Sequence, residues 1–204
     1  NSSGARRHQY DAETFAKMRT NVGQPIFGVD VKITDDDNEE LPWDGVAFGA
    51  LKVSGPWICS SYFKLDGSSA HEEDGWFETG DVATIDSRGN VSITDRTKDV
   101  IKSGGEWISS IEIENCATGH PQVAEAAVIG RNHPKWGERP LLIIVKSGED
   151  DVAPDELKGY LDGKIAKWWM PDDVQFIDEM PHTATGKIQK MKLREMFGDY
   201  QFPA

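Results

Sequence analysis

Asp95-Arg96-Thr97-Lys98-Asp99-Val100-Ile101-Lys102-Ser103-Gly104-Gly105 divides the chain into halves of different character. The charged run 95–99 separates two apolar stretches and reads as a joint, placed at 97–99. Upstream of it, Val29-Asp30-Val31-Lys32-Ile33 alternates apolar and polar side chains, the period of a half-buried strand. Residues 47–53, 82–86 and 91–94 read as further short strands, and Ser87-Arg88-Gly89-Asn90 has hairpin-turn composition. Residues 35–40 read as an acidic turn, 60–74 as a loop, and 12–19 as a short helix. Downstream, strands and helices alternate. Ser109, followed three residues later by Glu112, forms a capping box that predicts a helix to Gly119. Residues 123–130, 141–146 and 174–177 are strand-like. Pro154 opens a helix whose apolar stripe runs through Leu157, Leu161 and Ile165 to Trp168, and 190–197 reads as a closing helix. The fold class is therefore α+β, a β-rich part over 1–97 and a small α+β domain over 98–204.

Composition narrows the function classes. The chain has 204 residues, 38% of them hydrophobic, enough for a core. No stretch approaches the roughly 18 uninterrupted apolar residues of a membrane span. A net charge of −13 argues against nucleic acid as a partner, because phosphate backbones demand a basic footprint. The acidic clusters 35–37 and 150–151 read as solvated loops. Cys59 and Cys116 read as reduced thiols of a cytoplasmic protein, and the five histidines show no metal-ligand spacing. His120, His133 and His182 show no partner pattern and read as structural or surface residues. Asn1-Ser2-Ser3-Gly4 carries no apolar signal-peptide core and no initiator Met, as in a piece of a longer chain.

Pro181-His182-Thr183-Ala184-Thr185-Gly186-Lys187-Ile188-Gln189-Lys190 reads as a shaped loop aiming one cation. Gly186 can take backbone angles closed to other residues. Lys187, just after it, suits a phosphate or carboxylate oxygen as a point charge; an ordinary exposed lysine near a helix start is the plain alternative.

Three stretches, in order, resemble signatures of the adenylate-forming acyl-CoA synthetases: Gly75-Trp76-Phe77-Glu78-Thr79-Gly80-Asp81, the run 95–106, and 181–187 followed by Lys192-Leu193-Arg194-Glu195. The resemblance covers the chain from Gly23 onward. The runs 105–110 and 166–172 look most like ligases for medium-chain acids or 3-methylmercaptopropionate. The resemblance implies a two-step reaction with ATP, Mg²⁺ and coenzyme A: a carboxylic acid attacks the α-phosphate to give acyl-AMP and pyrophosphate, then the CoA thiol displaces AMP. Residues 1–97 would be the β-rich tail of the large adenylation domain, and 98–204 the small mobile C-terminal domain.

Residue by residue, Asp81 matches the acid that holds the ribose hydroxyls, and a carboxylate can accept from both; a turn aspartate after glycine is the alternative. Arg96 matches the arginine near ribose and phosphate, as against a surface ion pair. Lys98 matches the hinge of the small domain, Lys187 the adenylation lysine. Lys102, Gly104, Gly105 and Glu106 match the loop that faces the active site in the thioester-forming pose; the two glycines read as a flexible pair, with a plain β-turn as the alternative. Trp107 departs from relatives with arginine there, so it is an aromatic wall or a core residue. Trp168 and Trp169 could stack on the CoA adenine, although the stripe favours core packing for Trp168. The family's phosphate loop, adenine segment and acyl tunnel do not occur in the chain, so the isolated chain is expected to turn over nothing. The alternatives are an adenylation domain loading a carrier protein, a luciferase-like oxidase, and a non-catalytic module retaining the fold. The resemblance leaves the acid and the oligomeric state open.

Overall fold

The computed structural model describes residues 21–60, 62, 71, 75–148 and 152–203. The expected helix over 12–19, most of the expected loop over 60–74 and the acidic pair 150–151 lie outside the described residues. The chain divides into two compact units, 1–98 and 99–204.

The described part of the first unit is an antiparallel sheet of four strands in the order of the sequence: β1 (Asp30–Thr34), β2 (Phe48–Ser54), β3 (Phe77–Ile85) and β4 (Val91–Arg96). One face buries Ile33, Leu51, Ala83, Ile85 and Val91, with Val31 and Leu41 against them. The alternation that marks β1 in the sequence is the alternation that fills this core. The β3–β4 turn is built by Asp86, whose Oδ1 accepts from the amides of Arg88 and Asn90, both at 2.9 Å. The acidic turn after β1 uses the same device: Asp35 Oδ1 accepts from the Asp37 amide at 3.0 Å and the Glu39 amide at 2.9 Å. β3 is longer than the run 82–86 suggests, because it begins at Phe77 and carries a bulge between Val82 and Ala83 opposite β4.

The second unit is a five-stranded sheet with helices on it. β5 (Ile101–Ser103) and β6 (Glu106–Ile108) form a hairpin, followed by α1 (Ser110–Ala117), β7 (Val123–His133), β8 (Gly137–Lys146), α2 (Pro154–Leu161), a 3₁₀ turn (Lys167–Trp169), β9 (Asp173–Phe176) and α3 (Lys190–Met196). Strand order is β6-β5-β8-β7, with β9 parallel to β8. Ala127, Ile129, Leu141 and Ile143 pack with Met180 and Leu193 of the C-terminal segment. By alternation Val128, Leu142 and Ile144 face the other side, where α1 packs on β7 and α2 on α1. β7 and β8 are thus buried on both faces, which is why they read as unbroken apolar runs. Ser109 caps α1, its side chain accepting from the Glu112 amide at 3.2 Å. Pro154 opens α2 as its fixed φ allows.

Two expectations are corrected. α2 stops at Leu161, where Gly163 takes a φ of +75°, so the stripe does not reach residue 168. In the 3₁₀ turn that follows, Trp169 is buried and Trp168 is 44% exposed. The segment around Gly104-Gly105 is also more regular than a flexible loop. With φ of +62° and +89° at the two glycines, it is the two-residue turn of a hairpin.

The C-terminal tail is fastened to β9 by a hydrogen bond from the Tyr200 hydroxyl to Asp173 Oδ2. Burial, and then this bond to a carboxylate, push the Tyr200 phenol up to about 12. Burial works against the ionised form of Asp173, but its bonds from Tyr200, Gln175 and the Val174 amide still hold it below its ordinary value. A raised phenol contributes stability below its unfolded value of 10.0 that is lost as pH climbs toward 12. The carboxylate's contribution is present above 3.8 and lost as pH falls. Ultraviolet titration should therefore place Tyr200 near 12, and Asp173→Asn should bring it down; a phenol ionising near 10 in the unmodified protein would refute the contact. Ile143→Ala, at a wholly buried position of β8, should lower the unfolding free energy in urea by about 2–5 kcal/mol; a loss under about 1 kcal/mol would contradict this packing.

Candidate active site

In the first unit, Asp81 on β3 faces Arg96 on β4 in the strand register. Arg96 Nε lies 3.7 Å from Asp81 Oδ1, and the two side chains are 58% and 35% exposed. So open a pair contributes only about 0–1 kcal/mol to stability, and both groups stay accessible to a ligand. The backbone departs from a regular ladder here. Gly80 has a φ of +76° and the bulge falls one residue after Asp81; such irregularities re-aim side chains. Thr79 Oγ1 donates to Leu51 O at 2.8 Å and accepts from the Asp81 amide at 3.2 Å. The Thr97 amide donates to Gly80 O at 3.0 Å. Asp95 is buried beside them, its Oδ1 accepting from the Arg96 amide at 2.7 Å. The result is an open pocket of about 430 Å³ lined by Thr79, Gly80, Asp81, Arg96, Thr97 and Lys98. Three residues singled out in the sequence, Asp81, Arg96 and Lys98, thus share one pocket. An exposed carboxylate beside a guanidinium is suited to neighbouring hydroxyls and an anionic oxygen.

In the second unit the candidate residues form two groups. Lys102, Glu106 and Trp107 stand on the β5–β6 hairpin with Gly104 and Gly105 at its tip. Lys102 pairs with Trp107 across the hairpin, its Nζ 5.2 Å from the ring centroid. Trp107 is half-buried, with a cation on its face. The hairpin tip leans on the β7–β8 turn: the Gly104 amide donates to Trp136 O at 2.8 Å, and a Cβ on Gly104 would meet the Trp136 ring at 2.9 Å.

Lys187 lies on the other group, the loop 181–189. Its amide donates to Thr183 Oγ1 at 3.1 Å and its carbonyl accepts from the Thr183 amide at 2.8 Å. Gly186, with a φ of +79°, closes the turn by donating to Thr183 O at 2.9 Å. Thr183 and Thr185 hydroxyls are 2.9 Å apart, and the Gln189 amide returns to Pro181 O at 2.8 Å. His182 Nε2 sits 2.8 Å from Glu125 Oε1 on β7. At the far end Lys190 Nζ meets Glu114 Oε1 at 2.7 Å and Ser110 Oγ at 2.6 Å, while the same Glu114 oxygen accepts from the Val128 amide at 2.7 Å. The loop is therefore held at both ends, and the exposed Lys187 ammonium has no side-chain partner among the described residues. The hairpin and β7, which anchors the lysine loop, stand at opposite ends of the strand order β6-β5-β8-β7.

Sequence reasoning assigned no partners to the histidines. The structure gives His182 Glu125, His120 Glu156 at 3.9 Å and His133 Asp172 at 3.9 Å. It also missed Arg139 and Glu114, each of which ties several elements together. All these partners lie far along the chain, so no local spacing announces them. Cys59 and Cys116 are free thiols. Among the described residues no group of three or more His, Cys, Asp or Glu side chains could hold a metal ion, and no helix is long and apolar enough to cross a membrane.

This mixed unit, with its pinned lysine loop, is of a known class: residues 112–187 match the AMP-binding enzyme C-terminal domain. A 3-methylmercaptopropionyl-CoA ligase of Ruegeria lacuscaerulensis is 54% identical over 195 residues, covering 96% of this chain and 36% of that protein. A medium-chain-fatty-acid–CoA ligase of Ectopseudomonas oleovorans is 49% identical over 182 residues, covering 89% of the chain and 33% of that protein. The crystal structure of ATP-bound MatB from Rhodopseudomonas palustris superposes with a TM-score of 0.75 at 36% identity, over 88% of this chain and 36% of that one. Residues 112–187 thus belong to the AMP-binding enzyme C-terminal domain family, and most of the chain is similar to part of the acyl-CoA ligases. It spans about a third of the length of the curated relatives it matches.

The lysine loop makes a direct prediction. Thr183→Ala removes the acceptor of the Lys187 amide, so hydrogen exchange of that amide should quicken about fivefold, the equivalent of one hydrogen bond near 1 kcal/mol. Unchanged exchange would show that the hydroxyl does not hold the loop.

Proposed function

We propose that the protein of which this chain is part is an ATP-dependent carboxylic acid–CoA ligase. It forms acyl-AMP with release of pyrophosphate, then acyl-CoA with release of AMP. The observation that carries this reading is Lys187: an exposed ammonium with no side-chain partner among the described residues, on a loop held at both ends. Such a cation meets developing charge without reorganising, which is how preorganised groups lower a barrier. Its role is to stabilise the carboxylate and α-phosphate oxygens as the acid attacks.

Asp81 accepts the ribose hydroxyls of ATP and Arg96 approaches ribose and phosphate; the accessible pair in one open pocket supports both roles. Mg²⁺ enters with the triphosphate, whose charge it offsets. Residues 1–97 are the end of the large adenylation domain and 98–204 the small one, which turns about Lys98 between the two steps. Two features support the turning. The hinge residue stands where the compact units divide, and the lysine loop and hairpin hang from opposite ends of one sheet. In the thioester pose Lys102, Gly104, Gly105, Glu106 and Trp107 serve the CoA step. Gly104 and Gly105 let the pantetheine arm pass close to backbone, and Trp107, its face already held by Lys102, forms a wall beside it. The acid is of medium chain or similar size, as the names of the relatives suggest. The free thiols fit a reduced cytoplasmic setting.

The test uses the full-length protein and a panel of carboxylic acids, with pyrophosphate release followed with and without CoA. Lys187→Ala should abolish acyl-AMP formation while sparing thioester formation from preformed acyl-AMP. Loss of both half-reactions, or of neither, is incompatible with the role given to Lys187. Pyrophosphate release that never leads to a CoA thioester would instead favour loading of a carrier protein.

A further inference from the structure

The hairpin is a slight structure. β5 and β6 have three residues each, and β5 meets β8 through one pair, Ser103 with Gly137. A ribbon this short is marginal on its own ladder. Side chains of the β8 region supply what the ladder lacks. Arg139 on β8 donates from Nη1 to Ser103 Oγ at 3.2 Å and to Trp168 O at 3.0 Å. Its Nη2 donates to Met170 O at 2.9 Å, and its Nε to Asp172 Oδ1 at 2.8 Å. Asp172 is itself held, since Lys158 Nζ donates to its carbonyl at 2.7 Å and His133 Nε2 stands 3.9 Å from its other oxygen. The Arg139 side chain is only 13% exposed. The adjacent Glu138 accepts the Lys102 amide at 3.0 Å.

We infer that Arg139 is a positioning residue for the thioester step, setting where the hairpin tip stands without touching substrate. This rests on the ligase reading above. The planar fork engages the hairpin, the 3₁₀ turn and Asp172 at once, so those elements share one orientation. An ammonium has no such fork and cannot replace it. Adenylation does not use the hairpin, and the lysine loop is held instead by Glu125 and Glu114. Loosening the hairpin therefore harms one half-reaction and not the other.

The experiment compares Arg139→Lys and Ser103→Ala in the full-length protein. It reads acyl-AMP formation by ATP–pyrophosphate exchange, thioester formation from preformed acyl-AMP and CoA, and amide hydrogen exchange over 101–108. Arg139→Lys should slow thioester formation about 10- to 100-fold, the cost of misplacing a reacting group by about an ångström. Ser103→Ala, which removes one hydrogen bond and adds no bulk, should slow it about fivefold. Acyl-AMP formation should stay within about twofold, and exchange over 101–108 should quicken in both variants. An equal fall in both half-reactions, or a loosened hairpin with an unchanged thioester step, overturns the inference. If the unmodified protein makes no CoA thioester, the ligase reading fails and takes this inference with it. If it makes one and both variants match it, only the role of Arg139 fails.

Discussion

The second unit hangs on β8. Leu141, Leu142, Ile143 and Ile144 are all fully buried, which is possible only for a strand covered on both faces and paired on both edges. β7 takes one edge over ten paired positions. β9 and the end of β5 share the other. Burying a side chain of this size is worth about 1.5–3 kcal/mol, so the strand cannot move relative to its neighbours without losing much of the unit's stability. In this unit the hairpin and the lysine loop, which carry the candidate residues, are held by side chains reaching from this rigid sheet. Arg139 and Glu138 reach the hairpin, and Glu125 reaches the lysine loop.

The first unit has the same logic on a smaller scale. Four antiparallel strands bury one face, and the candidate residues Asp81 and Arg96 sit where the ladder is interrupted. The bulge and the positive φ of Gly80 aim Asp81 toward Arg96 and the pocket beside Lys98. A regular ladder supplies the core; its irregularity supplies the accessible pair.

Much of the fold was legible in local pattern. The cap at Ser109, the start of α2 at Pro154, the strand β9 and the closing helix α3 all follow from residues within one turn of each other. The end of α2 was less legible, because an apolar stripe records which side chains want burial, not which backbone delivers them. Trp169 rather than Trp168 reaches the core because a 3₁₀ turn, and not a continued α-helix, carries the pair. The hairpin at 101–108 was hidden because three-residue strands are too short to show a period.

By itself the sequence determined the α+β class, the joint near Lys98 and which residues, from Asp81 to Lys187, stand as candidates for the chemistry. These depend on periodicity, turn chemistry and short motifs, all properties of neighbours in the chain. Only the tertiary structure decided how those residues are held. Asp81 meets Arg96, His182 meets Glu125, Lys190 meets Glu114 and Arg139 meets Ser103 across separations of 15 to 76 residues. Hydrogen bonds and ion pairs act over about 3 Å of space whatever the distance along the chain. Strand order and register, which no single segment contains, choose the partners.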